Sequence, residues 1–249
     1  MTLLLLSGVL VVLTCFPWCG RQRQQALKAS WSTALLAALG VEVEADLQHA
    51  TSGALLVANH ISWIDIFVIN AVLPAAFIAK EEVRHWPLIG WLARRNGTVF
   101  LRRGSRGHAK IINQEIARIL AAGERVALFP EGTTSDGQRL LHFHAALLQP
   151  ALTAGFPVLP VALSYWTPAG ARSLAPRYDG DISLGQCTQA LLRQQKTIAR
   201  LRTLPLQGAH GEDRRQVAAA ARESIRIGCG LPPEVVPVTP SCPAPQNQA

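Results

Sequence analysis

Between Gln22 and Ile227 short apolar runs alternate with longer stretches of helical periodicity, and this alternation leaves one kind of architecture open. The short runs are Val41–Val43, Ala54–Ala58, Ala76–Ala79, Thr98–Leu101, Arg125–Phe129, Val158–Ser164 and Thr197–Leu201. The periodic stretches are Gln22–Leu39, Ser62–Leu73, Ile89–Arg95, Ser105–Ala122, His144–Thr153, Ser183–Gln194 and Asp213–Ile227. Strands separated by helices need crossover connections, so the expected fold class is α/β, a mainly parallel sheet flanked by helices. A chain of 249 residues can build one such domain with a sizeable core. Three segments are expected: an apolar membrane anchor at 1–21, the α/β domain at 22–227 and a disordered Pro-rich tail at 228–249, where six of the sixteen prolines lie.

The anchor reading rests on Leu3–Trp18, in which only Ser7 and Thr14 carry polar side chains. At 1.5 Å per residue the run falls just short of the roughly 20 residues that a spanning helix needs. A cleaved signal peptide would want a basic start and a small-x-small cleavage site, and neither is present. A buried core helix would be unusual ahead of Arg21, Arg23 and Lys28, which instead suit an anchor, spanning or dipping, that keeps the body on the cytoplasmic side. The expected location is therefore the cytoplasmic (inner) membrane.

Composition narrows the function. Apolar residues make up 49% and charged ones 16%, which excludes whole-chain disorder, and the apolar residues do not collect into repeated spans. The five cysteines show no CxxC pair, so neither a disulfide framework nor a zinc ribbon is indicated. No P-loop, G-x-G-x-x-G or G-x-S-x-G is present, and His142-Phe143-His144 lacks the further ligands of a metal site. The net charge is +8, and Lys80 to Lys110 holds eight Lys/Arg against Glu81 and Glu82. Charge alone allows a nucleic-acid partner; its position among the motifs below and behind an apolar segment favours an anionic lipid surface.

In parallel α/β sheets ligand groups gather where strands end. After Ala54–Ala58 come Asn59 and His60, then Asp65, five residues beyond the histidine. On one continuous helix that spacing would put them about 140° apart. If Ser62 is the N-cap, the bend in the chain instead returns the carboxylate to the imidazole, fixing its tautomer. The plainer alternative is that Ser62-x-x-Asp65 merely caps a helix. After Arg125–Phe129 come Pro130, Glu131, Gly132, Thr133, Thr134 and Ser135, either a grip on a polar head group or a simple turn. Gly97 to Gly104 carries Phe100, Arg102 and Arg103, and the guanidinium fork suits phosphate.

In this order the residues resemble the lysophospholipid acyltransferase family, specifically bacterial 1-acylglycerol-3-phosphate acyltransferases, over residues 22–227. The blocks are Asn59-His60 with Asp65, Gly97-x-x-Phe100-x-x-Arg103, Phe129-Pro130-Glu131-Gly132-Thr133-x-Ser135 and Val158-Leu159-Pro160-Val161. The resemblance implies acyl transfer from an acyl carrier protein or coenzyme A thioester to a lysophospholipid hydroxyl, with no other cofactor and no metal. It implies catalysis by His60 and Asp65 and substrate binding by Arg103, Glu131, Gly132, Asn59, Gly97, Phe100 and Thr133. A glutamate does not meet phosphate favourably, so Glu131 is expected to orient Arg103 or bind a hydroxyl. Relatives acting on other lyso-lipids, such as lyso-ornithine lipid, share the blocks. A hydrolase using His60 on water, or an inactive membrane-tethered lipid-binding module, are the remaining alternatives.

Overall fold

The computed structural model describes residues 2–87, 89–101, 106–208 and 211–233. Its strands are β1 (Val41–Asp46), β2 (Leu55–Ala58), β3 (Ala76–Lys80), β4 (Val99–Leu101), β5 (Val126–Leu128), β6 (Val158–Trp166) and β7 (Thr197–Thr203). Its helices are α1 (Thr2–Thr14), α2 (Arg21–Ala38), α3 (Asp65–Val72), α4 (Ile89–Arg95), α5 (Arg106–Ala121), α6 (Gln149–Thr153), α7 (Leu184–Gln194) and α8 (Arg214–Gly228). Every expected strand is present within a few residues. The expected helix His144–Thr153 instead splits into a 3₁₀ turn, Ala145–Leu148, and the short α6, whose first turn takes Pro150.

The strands form one sheet in the order β1-β7-β6-β2-β5-β3-β4, parallel except where β6 meets β7. Burial on both faces explains why the central strands read as unbroken apolar runs: all four residues of β2 are buried, as are the first eight of β6. Alternation along β2 divides the core. Leu56 and Ala58 face a cluster with Leu35 and Leu36 of α2, Val68 and Ile69 of α3 and Leu191 of α7. Leu55 and Val57 face the other, with Ile112 and Ile116 of α5, Ala151 of α6 and Ala221 and Ile225 of α8. The site's strands are thus clamped from both sides.

The apolar N-terminal run does not continue as one helix to Trp18. Helix α1 stops at Thr14 and a 3₁₀ turn at Phe16–Trp18 takes Pro17 in its first turn, where the missing N–H costs nothing. Its 13 residues span about 20 Å, against about 30 Å of bilayer hydrocarbon. Among the described residues no helix is long and apolar enough to cross a membrane. Instead α1 packs on α2: a side chain at Gly8 would come within 2.6 Å of the Trp31 ring, so glycine permits the approach. Val12 and Phe16 are buried, whereas Leu10, Leu13 and Trp18 are 60%, 54% and 89% exposed.

Residues 228–233, the start of the segment expected to be a disordered tail, are among the described residues. Cys229 is buried, its Sγ set 3.3 Å from the Leu163 carbonyl, and the Leu231 N–H donates to the Arg226 carbonyl. Residues 234–249 lie outside the described residues.

Candidate active site

Strands β2 and β5 are adjacent and parallel, pairing Val57 with Leu128, so the segments that follow them emerge side by side. Asn59 comes first. Its side chain prolongs the ladder beyond the end of β2: Nδ2 donates to the Leu163 carbonyl at 3.0 Å and Oδ1 accepts the Leu163 N–H at 2.8 Å. The amide is buried, and these bonds shape the turn into His60.

His60 then lies over Phe129 with ring centroids 3.9 Å apart and planes 8° from parallel. Its Nδ1 is 2.8 Å from Asp65 Oδ2, and the imidazole is 19% exposed while the carboxylate has no exposure. Ser62 is not the N-cap. Helix α3 begins at Asp65 with Ile64 before it, and the bend arises because Asp65 Oδ2 also accepts the backbone N–H groups of Ile61 (2.7 Å) and Ser62 (2.9 Å). The carboxylate thus ties the loop and orients the ring together.

Asp65 Oδ1 accepts the hydroxyl of Tyr165, which reaches it from β6 at 2.5 Å. Burial, and then the charge of Asp65, push the Tyr165 hydroxyl well above its usual value, so it remains a donor. Asp65 is the acceptor in all four bonds, so Nδ1 is the ring nitrogen that donates. Nε2 therefore presents its lone pair, and no described residue bonds it.

The segment after β5 holds His60 from the other side. Glu131 Oε1 accepts the His60 N–H at 2.8 Å, and Ser135 donates its own N–H to the His60 carbonyl at 2.8 Å. Glu131 Oε2 accepts the Leu141 N–H at 2.8 Å. Burial pushes the Glu131 carboxyl above its usual value and these two amide bonds oppose that shift. Each oxygen therefore meets a backbone amide. Gly132 turns the chain at φ +72° with its N–H on the Phe129 carbonyl, and Thr133 is exposed beyond it. The Thr134 hydroxyl donates to the Tyr178 carbonyl.

The block around Gly97 spans the sheet instead of gathering at one site. Gly97 closes α4: its N–H donates to the Arg94 carbonyl and that of Thr98 to the Ala93 carbonyl, with φ +79° at the glycine. It stands before the start of β4, at the edge of the sheet away from His60. Half-buried Phe100 lies within β4, opposite Ala79. Arg102 and Arg103 are outside the described residues; the strand before them, β4, ends at Leu101 on the His60 edge.

Tyr165 and Ser135 complete the arrangement; Ser135 closes the block that starts at Phe129, whereas no spacing signal singles out Tyr165. Neither buried cysteine competes as a nucleophile. Burial raises both thiols, Cys229 to about 12, which leaves them protonated at neutral pH. A histidine with one nitrogen on a buried carboxylate and the other open is arranged to take a proton from a hydroxyl.

A family model described as Acyltransferase matches residues 40–164, which include both His60 and Glu131. The chain belongs to this acyltransferase family and is an O-acyltransferase. It is 40% identical over 204 residues to the lyso-ornithine lipid O-acyltransferase of Pseudomonas aeruginosa, covering 82% of this chain and 78% of the relative. It is 39% identical over 210 residues to the 1-acyl-sn-glycerol-3-phosphate acyltransferase of Neisseria gonorrhoeae, covering 84% and 82%. The crystal structure of the 1-acyl-sn-glycerophosphate acyltransferase from Thermotoga maritima shares the fold, with a TM-score of 0.62 over 92% of this chain and 94% of that one at 23% identity.

Proposed function

We propose that this chain transfers a fatty acyl group from an acyl carrier protein or coenzyme A thioester to the free hydroxyl of 1-acyl-sn-glycerol-3-phosphate, giving phosphatidic acid. The observation that carries this reading is the contact between His60 Nδ1 and buried Asp65 at 2.8 Å, which leaves Nε2 available. Nε2 takes the proton as the acceptor oxygen attacks the thioester carbonyl carbon. The tetrahedral intermediate then expels the thiolate, which recovers that proton from the imidazolium. Asp65 stabilises the imidazolium in between. General-base catalysis contributes about 10²–10⁴-fold, so positioning of the two substrates supplies much of the remainder. Arg103 is the residue proposed for the acceptor phosphate, because a guanidinium meets its oxygens bidentately.

A lipid acceptor accounts for α1. Too short to span, it is proposed to lie in one leaflet of the cytoplasmic membrane through Leu10, Leu13 and Trp18, with the catalytic domain on the cytoplasmic side and the cations of the Lys80–Lys110 stretch toward anionic lipid or an acidic carrier. The name of the Pseudomonas aeruginosa relative supports a second reading, in which the acceptor is lyso-ornithine lipid.

One experiment separates these. Purified protein is incubated with acyl-coenzyme A or acylated carrier protein and a mixture of lysophosphatidate and lyso-ornithine lipid, and products are read by mass spectrometry. New phosphatidate is expected. Acylated lyso-ornithine lipid alone would move the assignment to the second reading, and free fatty acid alone would make the protein a hydrolase.

A further inference from the structure

One cavity lies away from His60. It measures about 310 Å³ and lies at the starts of the strands, against Ala76, the first residue of β3, and Arg125, which precedes β5. Register places Val126 beside Leu55, so β2 separates this cavity from His60 by about 10 Å of strand. Six cationic side chains line it: Arg21, Lys28, Arg94, Arg95, Arg118 and Arg125.

Only two carboxylates answer them, and both are engaged. Glu115 takes Arg118 through two bonds, at 2.9 and 2.7 Å. Glu124 takes Arg21 at 2.7 Å and the Gln25 side-chain amide at 3.4 Å. Lys28 donates to the Ala75 and Asn96 carbonyls at 3.1 Å each, which uses two of its three hydrogens. Arg125 commits Nε to the Thr51 carbonyl at 2.7 Å and keeps its terminal nitrogens. The cavity is also lined by Gln24 and Gln25 of α2. Burial holds Lys28 down at about 8, with Glu124 opposing that shift and Arg21 adding to it.

The geometry points to this cavity as a binding site for a phosphate-bearing anion, separate from the His60 site. Guanidinium groups and an ammonium lining one cavity match the several oxygens and multiple charge of a phosphoryl group. The volume admits a phosphoryl group with its substituent, not a nucleic-acid strand. Strand β4 sharpens the separation. Arg94 and Arg95 come before it, at the edge of the sheet where the strands start, and its end at Leu101 lies at the other edge. The inference is independent of the acyl-transfer reading. The phosphate can come from a lipid headgroup, beside Phe16 and the exposed Trp18, or from a soluble phosphoester.

The test uses the full chain and needs no turnover. Binding is measured for inorganic pyrophosphate by calorimetry, and by co-sedimentation with phosphatidylcholine vesicles with and without phosphatidate. The double variant Arg94→Ala/Arg95→Ala removes two exposed side chains, and Arg125→Gln retains a donor for Thr51. Each is expected to weaken binding about tenfold or more in at least one arm, whereas Arg103→Ala leaves that component in place. Loss confined to pyrophosphate identifies a soluble phosphoester, and loss confined to phosphatidate vesicles identifies a headgroup. Unchanged binding by both cavity variants, or binding abolished by Arg103→Ala alone, overturns the site.

Discussion

Glu131 accepts the backbone N–H of His60 at 2.8 Å, so the carboxylate after one strand fixes the peptide that carries the histidine after its neighbour. Gln at this position keeps one acceptor and turns an NH2 group toward a backbone N–H that needs one. Glu131→Gln is therefore expected to lower kcat by about tenfold to a hundredfold and to cost about 1–3 kcal/mol of stability. Steady-state kinetics with varied acceptor check it. A changed KM with unchanged kcat would make Glu131 a headgroup contact instead.

Tyr165→Phe leaves Asp65 Oδ1 buried with no described donor. Destabilisation of about 1–2 kcal/mol is expected, with a several-fold fall in kcat and little change in KM, because the hydroxyl acts through Asp65 rather than on substrate. Urea denaturation and kinetics on the same preparation read both.

Gly97 ends α4 at φ +79°, a backbone conformation that glycine adopts without strain. Gly97→Ala is expected to cost about 1 kcal/mol and to leave the acceptor KM unchanged. A raised KM without loss of stability would return Gly97 to the substrate site.

Lys28 gives stability a pH dependence whose sign is fixed. Its pKa is held at about 8 in the fold against 10.5 in the unfolded chain, mainly by burial, with Glu124 opposing and Arg21 assisting. Between those values the unfolded chain binds more protons, so Lys28 makes stability rise with pH across that window, by roughly 1–3 kcal/mol. Denaturant midpoints at pH 8 and pH 10 should show the rise in the native sequence and its loss in Lys28→Met.

The fold was legible wherever burial dictates pattern. β2 and β6 read as strands because both faces are covered, and α7 announces its start through Ser183 and Gln186, which form a capping box. The reversed direction of β7 was not legible, since its residues serve an antiparallel neighbour, β6, and a parallel one, β1, equally well. At the site, His60 and Asp65 lie five residues apart and their meeting could be reasoned from a bend. Asn59, Glu131 and Tyr165 could not be placed this way. Their partners, Leu163, Leu141 and Asp65, are set by tertiary structure, and two of those are bare backbone groups with no identity to read. The helical limit of α1 at Thr14 likewise emerges only from where the chain turns to pack Phe16.

The central claim is that His60 takes the proton of the acceptor hydroxyl. His60→Ala, with its circular dichroism spectrum and denaturation midpoint compared with those of the native protein, should be assayed for phosphatidate formation from lysophosphatidate. A folded variant slowed by at least about 10²-fold is the predicted result. A folded variant that retains most of the native kcat would contradict the account.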